Sequence, residues 1–520
     1  MSPSASVKYH RLTEDGIQMP AAVSLSAARN PYFRLMLLFS VAIATLYFVR
    51  SVAFPVESDI KYSGETYQLL KSFRESVQLQ LLEMEERERD LMRQLQDQTL
   101  NPTPSASSDL AGRPAHFPRR PEVEGIDCAR LFAGDKEYQK KIASTRPKLI
   151  RSKQVNLCCE AIRARVLPPR NANAGFPIAF AKVVNTDYEF LEEQLAITYS
   201  SENWYCFAPD KKSTVFFRRH ITALSACLPN VLLSESEYDT DSAGHFANHA
   251  HFDCLRQLAA KPWRYVILLQ NHDVVMKSNA ELVRVFQLMN GSNDWEMMFC
   301  PGRCPSSLEH NLGKLGMCPT GFPPNERKKC ESASLTWGKG SVQVSLAWET
   351  VNFLLTRINY SKLLEQFNKE GYGVDEMLVQ TIALTPELRL PGGFTSKCLV
   401  NGNQHVSRHL SVTRLTHWSH ADNVCGSRKW RHAICVFGVE DLPYLAESAY
   451  LTANKLMPDS DYAAIACLGE LLFNRSIGGL QSHPLKENIY TNLPQVRFDR
   501  ERAANPNFDL KNFSCEVPLS

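Results

Sequence analysis

Fifteen cysteines divide this chain: none lies in the first 127 residues, and all fall between Cys128 and Cys515. They are too dispersed for one zinc module, so the partition predicts a body that folds in an oxidising lumen behind a segment that need not. Such a chain needs a membrane signal near its start. Leu35 to Val49 (LMLLFSVAIATLYFV) is an uncharged apolar run bounded by Arg34 and Arg50, with Lys8, Arg11 and Arg29 before it. As a helix it covers roughly 22 Å of a hydrocarbon core about 30 Å thick, and snorkelling arginines with Tyr32, Phe33, Val52 and Phe54 make up the difference. A cleaved signal peptide is the alternative, but no small-x-small site closes the run. The expectation is a cytoplasmic tail over 1–34, a signal anchor over 35–50 and a type II orientation with a lumenal body.

A lumenal stem is expected over 51–125. From Thr66 to about Gln98, apolar Leu70, Phe73, Val77, Leu81, Met84, Leu91 and Leu95 recur at intervals close to those of a helix, while Glu88 and Arg89 interrupt the seam. Two readings stand: a single solvated stalk helix, or a short coiled coil that pairs two copies as a homodimer. Asn101 to Arg120, rich in Pro, Ser and Ala, is linker. With 58 Lys+Arg against 55 Asp+Glu the formal charge is +3, so no global basic field argues for nucleic acid as a partner.

The body, expected over 126–480 with a C-terminal extension over 481–520, alternates strands and helices. Phe176–Val184, Asn203–Pro209, Asn230–Leu233 and Tyr265–Gln270 are short apolar runs that predict strands. The segments Tyr188–Tyr199, one ending at Ala226, and roughly Ala243–Ala259 predict the helices between them. This is the pattern of an α/β unit with a mostly parallel sheet, whose ligands gather at the carboxyl ends of the strands. Asp210 and the Asn271-His272-Asp273 turn become candidates on that ground. No GxGxxG or GxxxxGK[ST] motif occurs, so neither a dinucleotide fingerprint nor a P-loop is present.

Asp273 stands where an Asp-x-Asp pair would hold a metal for a diphosphate, but the second acid is missing, and a leaving diphosphate would then need protein cations. His245, His249 and His251 with Asp253 do not form HExxH, so the histidines are taken as helix-surface or site-lining residues and no metal is expected. In Gly371–Thr381 (GYGVDEMLVQT), glycines make a loop and Asp375-Glu376 open an apolar helix. These acids are either a cap and a dipole partner or a general base on a rigid helix end. Arg428, Lys429 and Arg431 precede the strand-like Ala433–Gly438, and Lys455 follows; they are a solvated rim or a fixed positive charge for a diphosphate.

Several segments in shared order resemble the core-2/I-branching β-1,6-N-acetylglucosaminyltransferase family: Pro177–Phe180, Trp204-Tyr205-Cys206 with Asp210, Ser225–Val231, Lys277–Val283, Val374-Asp375-Glu376, Arg414 with Trp418, Ile434–Gly438 with Asp441-Leu442, and Ala453-Asn454-Lys455. The resemblance runs discontinuously from about Cys128 to Cys467. It implies a GT-A-like lumenal domain in the Golgi that transfers a sugar from a UDP donor to a glycan acceptor such as a core-1 mucin-type O-glycan. The sugar it implies is GlcNAc in β-1,6 linkage, transferred with inversion and without metal or other cofactor.

On that resemblance Glu376 is the general base, Lys455 and Arg431 bind the diphosphate, and Asp210 lies at the nucleoside end. Arg428, Lys429 and His432 remain alternatives to Arg431. The implied disulfides join Cys206 to Cys254, Cys425 to Cys435, Cys128 to Cys467, and Cys227 to Cys158 or Cys159.

Cys300, Cys304, Cys318 and Cys330 lie in a Pro-rich insertion and are expected as two local disulfides rather than zinc ligands, with Cys398 and Cys515 unassigned. Ser345–Thr350 replaces the family's acceptor-contacting stretch, so a different donor, a protein serine acceptor, or a silent glycan-binding body are the rival readings. Sequons at Asn290, Asn359, Asn474 and Asn512 fall on the expected lumenal side.

Overall fold

A computed structural model describes residues 117–516 apart from 168–174, 301–306, 400–410, 422–423 and 506. The tail, the apolar run Leu35–Val49, the heptad seam and Cys304 lie outside the described residues. Among the described residues no helix is long and apolar enough to cross a membrane.

Strands β1 (Ile178–Val184), β2 (Trp204–Pro209), β3 (Val231–Leu233) and β4 (Tyr265–Gln270) follow one another with a helix between each pair. Short strands come next: β5 (Val274–Val275), β6 (Met298–Phe299), β7 (Gly338–Lys339), β8 (Ser345–Ala347), β9 (Arg414–Leu415), β10 (Trp430–Arg431), β11 (Ile434–Cys435) and β12 (Thr452–Ala453). The main sheet has the order β3-β2-β1-β4-β8. β1 to β4 are parallel, and β8 closes the edge antiparallel to β4. The chain therefore winds outward through β2 and β3, then returns to the other side of β1, which makes β1/β4 the switch point where the carboxyl ends leave a crevice.

Side-chain alternation sorts the sheet into two cores. Ile178, Phe180, Tyr205, Phe207, Ile267 and Leu269 pack on one face, and Ala179, Ala181, Cys206, Ala208, Val266 and Leu268 on the other. Alanines on the second face admit the helix Ala247–Ala259 closely, and the Cys206–Cys254 disulfide staples it to β2.

Boundaries differ from the expected ones for local reasons. Pro177 has no N–H to donate, so β1 begins at Ile178, whose N–H is taken by the Asn203 side chain. The helix expected from Ala243 begins at Ala247 because the Ala243 carbonyl accepts from Gly373 and Val374 instead. Asp375-Glu376 end a 3₁₀ turn, Val374–Glu376, and the helix starts afterwards at Leu378.

The disulfides join Cys128–Cys467, Cys206–Cys254 and Cys425–Cys435, and Cys227 takes Cys159, leaving Cys158 exposed and free. Cys318 pairs with Cys330, Cys300 is also disulfide-bonded, and Cys398 bonds Cys515.

The segment set apart at 481 is part of the body. Tyr490 and Val496 belong to one core, while Phe498 and Phe513 close on Phe394 in the other. Gln495 donates to Asp294, a fully buried carboxylate that also accepts from Ser411, Val412 and Thr413. A chain ending at residue 480 loses these side chains and Cys515 together. It is expected to be insoluble or to lack a cooperative melt, as calorimetry of the truncated and intact proteins would read; an unchanged melting transition would refute this account of the core.

Candidate active site

At the carboxyl ends of β1, β2 and β4 lies a cavity of about 810 Å³. Val184 and Asn185, Asp210, and Gln270 to His272 form its floor, and the turn carrying Glu376 and the segments around β7, β9, β10 and β12 form its walls. Glu376, Asp210, Arg431 and Lys455 all line it, as do Arg414 and Lys339, which sequence reasoning did not place in the site.

Glu376 is held by its own tight turn. Gly373 has φ +70°, a left-handed conformation, and a Cβ there would crowd both the Glu376 Oε2 and the Lys339 Nζ. The Gly340 N–H donates to the Glu376 carbonyl, and Lys339 forms an ion pair with Glu376 Oε2 at 2.7 Å. The adjacent Asp375 accepts from the Gln270 amide at 3.2 Å, and Gly244 leaves room for it, since a Cβ there would land on the Asp375 carboxylate. Burial, then the negative Glu376, push the Asp375 carboxyl up to about 7.

The opposite end is cationic. Lys455 is pushed down to about 8 by burial and by Arg414 and Arg431, with Asp273 opposing. Burial and the same Lys455 and Arg431 depress His432. Arg431 comes from β10, at the end of a hairpin closed by Cys425–Cys435. Arg414 donates to the Asn454 Oδ1 at 2.8 Å and to Ser341, and its guanidinium lies 6.0 Å from the Trp418 ring centre. Three cations crowded this closely, none with an acidic partner at hydrogen-bond distance among the described residues, form a site for an anion.

Asp273 is placed differently from its expected role at the nucleotide. It is 1% exposed and absent from the cavity wall, with its carboxylate taken by the Gln270 N–H and the side chains of Gln343 and Asn454, and its carbonyl by Lys182. It braces the cationic end from behind. Asp210 reaches the wall, yet its carboxylate is engaged by the N–H groups of Lys212 and Thr240 and by the Thr240 hydroxyl. Of the alternatives to Arg431, His432 lines this cavity, whereas Arg428 lines a separate groove behind the hairpin.

The histidines do not converge. His245 contacts Asp241 and the Glu370 carbonyl, while His251 is buried against the Leu269 carbonyl. Asn290, Asn359, Asn474 and Asn512 are all exposed, although Ser292 of the first sequon is buried.

The model of the family described as Branch: Core-2/I-Branching enzyme matches residues 178–446, just over half of the chain. A beta-1,3-galactosyl-O-glycosyl-glycoprotein beta-1,6-N-acetylglucosaminyltransferase of Bovine herpesvirus 4 is 26% identical over 386 residues, covering 69% of this chain and 85% of the relative. The Homo sapiens protein of that name numbered 3 is 25% identical over 389 residues, covering 70% and 87%. Among solved structures, the mannosyltransferase Ktr4p from S. cerevisiae in complex with GDP aligns with 56% of this chain and 82% of its own at 12% identity, with a TM-score of 0.22, too low to establish a shared fold. The family match spans the whole α/β sheet and the turn bearing Glu376, so the chain belongs to the Core-2/I-branching enzyme family and is a glycosyltransferase.

Proposed function

We propose that the protein transfers GlcNAc in β-1,6 linkage from a UDP donor to a glycan such as a core-1 mucin-type O-glycan, with inversion and without a metal. The observation that carries this reading is the opening of Glu376 and of the Lys455–Arg431–Arg414 cluster onto one cavity. The names of the relatives supply the sugar and the acceptor class.

In the reaction the acceptor hydroxyl gives its proton to Glu376 as its oxygen bonds to the anomeric carbon. The bond from that carbon to the diphosphate breaks on the opposite face, and UDP leaves with the electron pair. Lys455 and Arg431 receive the charge that develops on the departing phosphate, with Arg414 held beside them by Asn454. This fixed charge does the work that a divalent ion does where paired acids hold one. The full engagement of Asp273 by protein donors supports that assignment. Asp210 then shapes the nucleoside end through Thr240.

The same reading places the GT-A-like body in the Golgi lumen behind the Leu35–Val49 anchor, with the stem seam pairing two copies. The disulfides support the lumenal side.

Glu376→Gln is expected to lower kcat by at least about 10²-fold while UDP still binds, as product analysis and calorimetry would read. A chelator is expected to leave the rate unchanged; full dependence on added Mn²⁺ would defeat the two-cation account. Lys455 is charged below about 8 and loses its proton as the pH rises through that value, so the donor KM should climb on the alkaline side. In Lys455→Arg that climb should disappear, because the guanidinium stays charged.

A further inference from the structure

The base does not stand alone, and its neighbours impose a problem. Glu376 and Asp375 are adjacent carboxyls in one short turn, and the negative charge of Glu376 disfavours that of Asp375. An acceptor hydroxyl needs a carboxylate that is ionised and held still, not one that trades a proton with its neighbour. Five charged groups around the pair come from four parts of the chain: Lys339 on β7, Arg414 on β9, Glu296 before β6, and Asp241 with His245 on the loop that receives Gly373. Only Lys339 makes an ion pair with Glu376 among the described residues. Asp375 instead meets the neutral Gln270 amide. Lys339 is also tied to the base through the backbone, since the next residue, Gly340, donates to the Glu376 carbonyl.

We propose that Lys339 is a positioning residue for the base: its ammonium pins Oε2 of Glu376 and favours the negative charge there, so a proton held in this turn resides on Asp375 and Oε1 receives the acceptor's proton. The raised proton affinity of Asp375 agrees with this division. The inference rests on the reading of Glu376 as the base and adds the residue that keeps it so. Atoms balance simply. The acceptor proton moves to Oε1 of Glu376 while Asp375 keeps its own proton and Lys339 keeps all of its protons.

The test is the pH dependence of kcat for full-length protein in detergent, comparing wild type, Lys339→Met, Lys339→Arg and the double variant Lys339→Met with Asp375→Asn. For Lys339→Met, the acidic limb of the profile should move up by about one pH unit, giving roughly tenfold loss below neutrality that narrows at higher pH, with the donor KM within about twofold. Lys339→Arg should keep the wild-type limb. In the double variant the competing carboxyl is gone, so the limb should return toward wild type, which also shows that the Met side chain is tolerated.

A loss equal at every pH would overturn the proposal, as would an unmoved acidic limb or a tenfold rise in donor KM with kcat unchanged, which would make Lys339 a phosphate ligand. If Glu376→Gln stays active, it is the assignment of the base that falls, and the Lys339 profile separates the two failures.

Discussion

The cationic end of the cavity hangs on a carboxylate that never reaches it. Asp273 receives a backbone N–H from the end of β4, the Gln343 amide from the approach to β8, and the Asn454 amide next to β12, while its carbonyl takes the buried Lys182. Three parts of the chain distant in sequence are thereby fixed to one turn. The Gln343, Asn454 and Lys182 donors are buried, and leaving one unpaired costs about 1–3 kcal/mol, so the hub is held by what its loss would expose. Asn454 passes the constraint on: its oxygen orients Arg414, and its neighbour is Lys455. The negative charge of Asp273 also offsets part of the repulsion among the cations.

Two opposing electrostatic requirements then share one cavity. A departing diphosphate calls for uncompensated positive charge, whereas a base must keep a lone pair available, and a cation pressed against it reduces its pull on a proton. The structure separates the two tasks. Among the described residues Arg431 and Lys455 have no acidic partner at ion-pair distance at one end, and at the other Lys339 is already engaged with one oxygen of Glu376. Arg414 stands between the ends, near enough to act on both Asp375 and Lys455.

The sheet was legible because its strands are short apolar runs bounded by turn residues, and that signal is local. Tyr265–Gln270 matches its observed limits for that reason. The carboxyl-end rule led to Asp210 and Asp273, but it locates a strand end and not the direction of a side chain, which is how Asp273 came to be assigned to the nucleotide. Glu376, Arg431 and Lys455 rested on motif resemblance and fall in one cavity. Lys339 was unreadable: its position depends on β6 pairing with β7 across a Cys- and Pro-rich insertion, and Trp-Gly-Lys-Gly carries no periodicity. Arg414 stood within a quoted segment, yet its role follows from Asn454, forty residues away in the chain. Nothing in the sequence marked the segment from 481 as carrying large rings that seal a core, as Phe498 and Phe513 do, because no local periodicity picks them out.

That late seal has a consequence for biosynthesis. Until residues 494 to 515 have been made, the second core lies open beside Phe394, with Cys398 unmatched. The second core can therefore close only after that segment has been made, and before then the chain carries open apolar surface and an unpaired thiol.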